Sequence, residues 1–313
     1  MRVTALAGGV GGGKFLRGLV RAMPAEDVTV VVNTADDIEV HGLHVSPDVD
    51  SVTYWMAGLS DRERGWGRAK ETFRATEELR RLGAEGAWFG LGDLDLATHL
   101  LRTTWLRSGR TLSEVTAELA RRNGVGARLL PMTDDPVTTM VRVLTPDGDD
   151  EEVHFQEYWV ERRARDDVKA IRYAGAEDAR PAPGVFEAIR TADAIVFPPS
   201  NPVASIGPIL AVPGIREALE ERRDRAVGVS GIVGGAPLAG MADRLLPVGG
   251  VEVSAAGVAE LYRDLLTGWV IDRVDEHLSP RIEKLGIRVG VADTIMSSDA
   301  AAERVARAAL SLL

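Results

Sequence analysis

Apolar residues follow two different spacings along this chain. Val3–Ala7 and "VTVVVN" (Val28–Asn33) are short, continuously apolar runs, the pattern of parallel strands buried on both faces. Between them, Lys14–Met23 carries its apolar residues at helical spacing, which predicts a βαβ unit with a right-handed crossover. Helical spacing recurs around Asp50–Leu59, Arg68–Leu82, Leu94–Arg107 and Leu112–Arg122. From Ala127 the pattern changes. "ARLLPM", "VTTMVRVL" and "EEVHFQEYWV" read as strands, the last two joined by the turn segment "TPDGDD", and "VKAIRYA" adds another. After "RPAPG" the alternation resumes with helix Val185–Thr191, strand "DAIVFPPSN", a helix near Gly214–Arg223 and strand "AVGVSGIVGG". Helix Val258–Leu266, strands near Trp269–Asp272 and Ile287–Val291, and helix Ala300–Leu312 follow. The expected fold class is α/β, with a mostly parallel sheet and a smaller antiparallel and helical insertion. We expect one domain over residues 1–313, its core at about 1–125 and 184–313 and the insertion at about 126–183.

Composition narrows the functional classes. A formal net charge of −10 and a pI near 5.1 argue against a general nucleic-acid binder or a basic membrane-surface protein. They leave room for a local pocket that takes an anionic small molecule. The chain has no cysteine, so disulfides and thiolate metal sites are excluded and a reducing cytoplasm is compatible. The N-terminal apolar stretch is short and broken by glycine, unlike a signal peptide. No run of about 18 apolar residues is present to span a membrane. The expectation is a soluble, cytoplasmic enzyme.

The segment joining the first strand and helix is "GGVGGGK", which resembles a phosphate loop of neither standard kind. Counted from Gly9, Lys14 stands where the third glycine of a dinucleotide fingerprint belongs. Counted from Gly8, the P-loop pattern fits as far as Lys14, but Phe15 replaces the hydroxyl that would hold magnesium. The physics outlives both mismatches. Gly8, Gly9, Gly11, Gly12 and Gly13 let backbone approach an anion, and the following helix offers free N–H groups. A tight strand-to-helix turn without a ligand is the bland alternative.

Other strand ends are loaded with polar residues, where ligands of open α/β sheets bind. "NTADDIEVHGLHVSPDVDS" holds Asp36, Asp37, Glu39, Asp48 and Asp50. Such carboxylates can share a hard cation such as magnesium, or can be a solvated acidic loop with helix caps. "LGDLDLATHLLR" puts Asp93 and Asp95 at a helix start, with Asp95, His99 and Arg102 at i, i+4 and i+7 on one face. A lone helical histidine serves structure as often as chemistry. In "FPPSNPVASIGP", Ser200, Asn201 and Ser205 suit hydrogen bonds to a base, ribose or phosphate, or turn chemistry set by the prolines.

"GGVGGGKFLRGL", "VVNTADD", "SPDVDSVTY", "GWGRAKETF", "LGDLDLATHLLR", "LLPMTDDPV", "HFQEYWV" and "PPSNPVASIGPIL" occur in the order found in 2-phospho-L-lactate transferases of coenzyme F420 biosynthesis. The resemblance covers essentially the whole chain, and its specificity lies in the ordered set. It implies a Rossmann-like three-layer α/β/α core and a homodimer. It also implies transfer of a phospholactyl or phosphoenolpyruvyl group from a guanosine-diphosphate-activated donor to the 5′-hydroxyl of the deazaflavin FO. GMP is released and Mg2+ is required.

Under that resemblance the glycines at 8, 9, 11, 12 and 13, with Lys14, Ser200, Asn201 and Ser205, hold the nucleotide and its phosphates. Asp37, Asp48 and Asp50 hold the metal, and Asp50 and Asp37 are the catalytic pair. Asn33, Asp36, Asp50, Asp93, Asp95 and His99 face FO. The related gluconeogenesis-factor family, a nucleotide-sugar-binding regulator, is the non-enzymatic rival. Its glycine- and serine-rich tail after the paired aspartates is replaced here by "IEVHGLHVSPDVD". A nicotinamide-dependent oxidoreductase is the enzymatic rival, and the broken fingerprint weighs against it.

Overall fold

The computed structural model describes residues 1–313. Its centre is a seven-stranded sheet in the order β14–β13–β10–β9–β1–β2–β5. The strands are β1 (Val3–Ala7), β2 (Val28–Val32), β5 (Arg128–Pro131), β9 (Ala194–Phe197), β10 (Ala226–Val229), β13 (Gly268–Asp272) and β14 (Arg288–Ala292). Every pairing between neighbours is parallel. The chain runs outward from β1 through β2 to β5, then returns to the other side of β1 at β9. The strand order therefore reverses between β1 and β9, and the crevice beyond their carboxyl ends is where such sheets bind ligands.

Alternation along the strands builds two cores. Val3, Ala5, Ala7, Val28, Val30 and Val32 face one layer with Phe15, Leu16, Leu19 and Val305. Leu6, Val31, Ile195 and Phe197 face the other with Ile189, Ile209, Ile215 and Val258. The first layer contains helices α1 (Gly9–Ala22), α2 (Pro47–Ala57) and the C-terminal helix Asp299–Leu310. This is the expected α/β/α arrangement.

Several elements differ from the sequence expectation. Helix α1 starts at Gly9 instead of Lys14, so the glycine run forms the first helical turn. Glycine is a poor helix former, and the pattern therefore read as a loop. The stretch "ARLLPM" was expected in the insertion, but Arg128–Pro131 pairs with β2 and forms an edge of the main sheet. The antiparallel sheet is β7–β6–β8, from β6 (Thr138–Leu144), β7 (Asp150–His154) and β8 (Asp167–Ala174). "EEVHFQEYWV" is not one strand: β7 ends at His154, and Glu157–Glu161 turns helically so that Tyr158 packs with Val141, Val143 and Phe155.

The Arg68–Leu82 helix shortens to α3 (Arg74–Arg81), and Lys70 within the lost stretch takes left-handed backbone at φ 61°. Helices α4 (Asp93–Arg107) and α5 (Leu112–Arg122) match their expected spans within a residue. The acidic stretch after β2 contains an unforeseen hairpin, β3 (Ile38–Val40) and β4 (Leu43–Val45). Its two-residue turn has His41 at φ 53° and Gly42 at φ 71°, the left-handed pair that a tight hairpin needs.

Helix α1 meets the C-terminal helix at Gly18, where a β-carbon would overlap the backbone of Ala302. Backbone cannot yield as a flexible side chain does. Gly18→Ala should therefore lose about 1–3 kcal/mol of stability through overpacking, read by urea denaturation. Unchanged stability would show that this helix pair has slack.

Candidate active site

The glycine run is used mainly to join pieces of protein. A β-carbon at Gly8 would overlap Asp48 Oδ2, and one at Gly11 would lie 2.5 Å from the Pro199 carbonyl oxygen. At Gly12 it would lie 2.5 Å from Ser200 Oγ, and at Gly13 2.7 Å from the Trp55 ring. Ser200 Oγ accepts from Gly8 N at 3.2 Å and donates to Gly8 O at 2.9 Å. These contacts draw the β1 end, the loop after β9 and helix α2 into one seam. Gly9 differs: its φ of 65° is left-handed, and its nearest neighbour would be 3.6 Å away.

The start of α1 still suits an anion. It has no side-chain cap and no acidic residue in its own first turn, and the first N–H groups of a helix lack intrahelical acceptors. Asp48 accepts the Gly9 N–H. Lys14 lies with Nζ 5.3 Å from the centroid of the Trp55 ring. In the loop after β9, Asn201 Oδ1 accepts from Val203 N and Ala204 N at 2.9 and 3.1 Å, so that oxygen is a local cap. Ser205 Oγ donates to Asp48 Oδ2 at 3.2 Å.

Carboxylates then converge from the β2 loop and α2. Asn33 donates to Asp48 Oδ2 at 2.9 Å and to the Ala204 carbonyl at 3.2 Å. Asp37 Oδ2 accepts from Ser46 Oγ at 2.7 Å and lies 2.9 Å from His44 Nε2, while its buried Oδ1 has no partner. Asp36 is buried, with only long bonds from Thr139 at 3.5 Å and Gln156 at 3.4 Å. Burial pushes the Asp36 carboxyl well above the usual carboxylate range, and the charges of Asp48 and Asp37 push it further. Burial raises Asp37 too, against the opposing pull of His44. Asp48 is raised to about 6, by burial first, and its bonds from Asn33 and Ser205 only partly offset this.

Asp50 has a different neighbourhood. The guanidinium of Arg102 on α4 grips both its oxygens, with Nη1 donating to Oδ2 at 2.9 Å and Nη2 donating to Oδ1. Arg102 Nη1 is also 3.1 Å from His99 Nδ1. His99 Nε2 faces Asp95 Oδ2 at 3.3 Å, and Tyr54 donates to Asp95 Oδ1 at 2.6 Å. Burial opposes the Arg102 charge, yet Asp50 more than offsets it and holds the guanidinium more strongly protonated than usual. Burial also opposes the Asp95 charge, yet His99 and Tyr54 bring that carboxyl below its usual range.

The donor chemistry fits a hard divalent cation best at Asp37 and Asp48. The unpartnered Asp37 Oδ1 and the mutual repulsion of Asp36, Asp37 and Asp48 are what such an ion would relieve. Ligand atoms of Asp50, Asp95 and His99 also lie within 4.8 Å of one another. There, however, Arg102 already supplies the positive charge.

Of the residues expected to act together, Asp93 stands apart. Its carboxylate is bonded to Thr72 Oγ1 and to Ala75 N at 3.1 Å, tying the approach to α3 onto the start of α4. Sequence reasoning placed Arg102 on the face of Asp95 and His99 without giving it a role, and it left out Tyr54, His44, Ser46, Thr139 and Gln156. These come together only through the hairpin and the antiparallel sheet.

An α/β fold with an open helix start and buried carboxylates at its switch point suits an enzyme with an anionic ligand. The family model described as 2-phospho-L-lactate transferase CofD matches residues 3–304, and the chain belongs to that transferase family. A phosphoenolpyruvate transferase of Streptomyces griseus is 53% identical over 313 residues, covering 100% of this chain and 98% of the relative. One from Mycolicibacterium smegmatis is 43% identical over 327 residues, covering 100% and 98%. The crystal structure of a UPF0052-family protein from Bacillus halodurans superposes with a TM-score of 0.64 at 21% identity, covering 99% of this chain and 100% of that one. At that identity it supports the fold alone. No helix is long and apolar enough to cross a membrane.

The raised Asp48 carboxyl makes a signed prediction. A carboxyl that is harder to ionise when folded favours the fold at low pH, and this contribution is lost as pH rises from the unfolded value of 3.8 through about 6. Asp48→Asn removes that penalty. Measured by urea denaturation with a chelator present, the stability of the variant relative to the parent should rise by about 2 kcal/mol between pH 4 and pH 7. A difference that stays flat with pH would remove Asp48 from the strained set.

Proposed function

We propose that this chain transfers a phosphoenolpyruvyl group, or secondarily a 2-phospho-L-lactyl group, from a guanosine-diphosphate-activated donor to the 5′-hydroxyl of FO. GMP leaves, and the product is an intermediate of coenzyme F420. The names of the relatives support the phosphoenolpyruvyl form. The observation that carries the reading is the meeting of the α1 start and the buried carboxylates beyond β1 and β9.

In this reading the FO 5′-oxygen forms a bond to the phosphorus bearing the acid. The bond from that phosphorus to the bridging oxygen breaks, and GMP departs with the bridging oxygen. Asp50 accepts the hydroxyl proton, with Asp37 as its partner in the catalytic pair. The start of α1, with Lys14, Ser200, Asn201 and Ser205 around it, holds the guanylate and its diphosphate. Asn33, Asp36 and Asp95 line the FO side, while His99, expected there from the sequence, is buried behind Arg102. Asp37 and Asp48 would hold Mg2+, which when bound neutralises charge on the diphosphate oxygens. Positioning carries most of the rate, because phosphoryl transfer asks little covalent help of the protein. A homodimer in the cytoplasm completes the reading.

Purified protein with FO, Mg2+ and each activated donor (phosphoenolpyruvyl, 2-phospholactyl and 3-phosphoglyceryl) tests it by product mass. A phosphodiester-linked deazaflavin plus GMP is expected, fastest with the phosphoenolpyruvyl donor and abolished by chelation. No deazaflavin product from any donor, together with tight binding of a nucleotide sugar, would establish the regulatory rival instead.

A further inference from the structure

Arg102 is almost wholly buried, its side chain 1% exposed, while the Asp50 side chain it grips is 9% exposed. Asp50 is thus the less enclosed partner of the pair and Arg102 the more enclosed. A two-pronged grip fixes the plane of a carboxylate as well as its position, which a single lysine ammonium cannot do. The grip is not optimised for Arg102 itself, whose buried Nε has no partner. Buried ion pairs are weak sources of stability compared with apolar packing, so this one calls for another use.

The arginine is in turn held from behind. His99, one turn earlier on α4, presents Nδ1 to Arg102 Nη1 at 3.1 Å. An N–H donated to Nδ1 assigns the ring proton to Nε2, which faces Asp95 at 3.3 Å. Tyr54, one turn after Asp50 on α2, donates to Asp95 at 2.6 Å, and its oxygen lies 3.1 Å from Thr98 Oγ1. Asp50, Arg102, His99, Asp95 and Tyr54 thus lie in one chain of contacts, in which His99 Nε2 is close to Asp95 but has no hydrogen-bond partner. The facing sides of two helices are thereby fixed against each other.

We infer that Arg102 is a positioning residue that aims the Asp50 carboxylate at the acceptor hydroxyl, and that His99 locks Arg102 in place. This rests on the proton-accepting role proposed for Asp50. Each Asp50 oxygen retains a lone pair beyond the one used by the guanidinium. A late proton transfer needs an oxygen in the right place more than a strong base.

The test compares Arg102→Lys with two changes at His99. Arg102→Lys keeps a cation but cannot hold both oxygens. Folded by circular dichroism, it should lose about 100-fold in kcat, as expected for misplacement near 1 Å, while KM for the guanosine donor stays within about twofold. His99→Asn keeps an acceptor near the Nδ1 position and should lose several-fold less kcat than His99→Leu. His99→Leu removes the acceptor and should lose at least about tenfold. A kcat unchanged in folded Arg102→Lys would overturn the inference, as would equal losses in His99→Asn and His99→Leu. A crystal structure of Arg102→Lys supplies a readout that needs no turnover. An Asp50 carboxylate rotated from its parental plane supports the inference, and one that keeps its plane overturns it. Failure of the parent enzyme to make product would count against the proposed reaction, separately from both structural outcomes.

Discussion

Negative charge buried at one strand end is the constraint around which this molecule is arranged. Asp36, Asp48 and Asp50 are buried and Asp37 is nearly so, yet Arg102 is the one arginine or lysine buried with them. That single guanidinium meets the charge of Asp50 and lowers the cost of ionising Asp37. Asp36 and Asp48 have only neutral donors, and their proton affinities rise accordingly. Unbalanced buried charge is expensive. In the proposed reaction this charge, next to an open helix start, would be met by a cation that arrives with the anionic donor. The large apolar cores on the two faces of the sheet supply the stability that permits this.

The glycine run shows how the backbone serves the same constraint. Sequence reasoning explained the glycines by room for a ligand, and the structure gives Gly8, Gly11, Gly12 and Gly13 another occupation. They remove β-carbons where Asp48, Pro199, Ser200 and Trp55 must come close. The seam sets the start of α1 beside Asp48 and the loop after β9. A bulky replacement within it would disturb the protein before it met any phosphate. The seam forms beyond the paired β1 and β9, and Gly9 is the glycine whose left-handed backbone is itself the requirement.

The parts of this architecture that were legible in the sequence are those governed by local periodicity. Continuous apolar runs identified β1, β2 and β9, and helical spacing identified α4 and α5. The glycine-rich and acidic strand ends do come together beyond β1 and β9. What local periodicity could not show was partnership over distance. "ARLLPM" looks the same whether it pairs in an insertion or, as observed, alongside β2. The acidic stretch concealed a hairpin because a three-residue strand carries almost no alternation. Asp93 and Asp95 were indistinguishable as neighbouring acids at a helix start. One holds the approach to α3, and the other turns inward to Tyr54 and His99.

Arg102 shows the same limit from the opposite side. Its i+7 relation to Asp95 placed it on the inward face of α4, but nothing local said that Asp50, 52 positions earlier, would lie within its grip. Once the helices are docked, the meaning of both residues changes. Asp50 ceases to be one of several interchangeable acids in a polar loop, because it alone has its plane set by a buried fork. Asp37 and Asp48 have no such fork: His44 and Ser46 meet the first, and Asn33 and Ser205 the second. Division of labour within the acidic cluster therefore follows from which carboxylate α4 reaches, and that is decided by helix packing rather than by the spacing of the aspartates themselves.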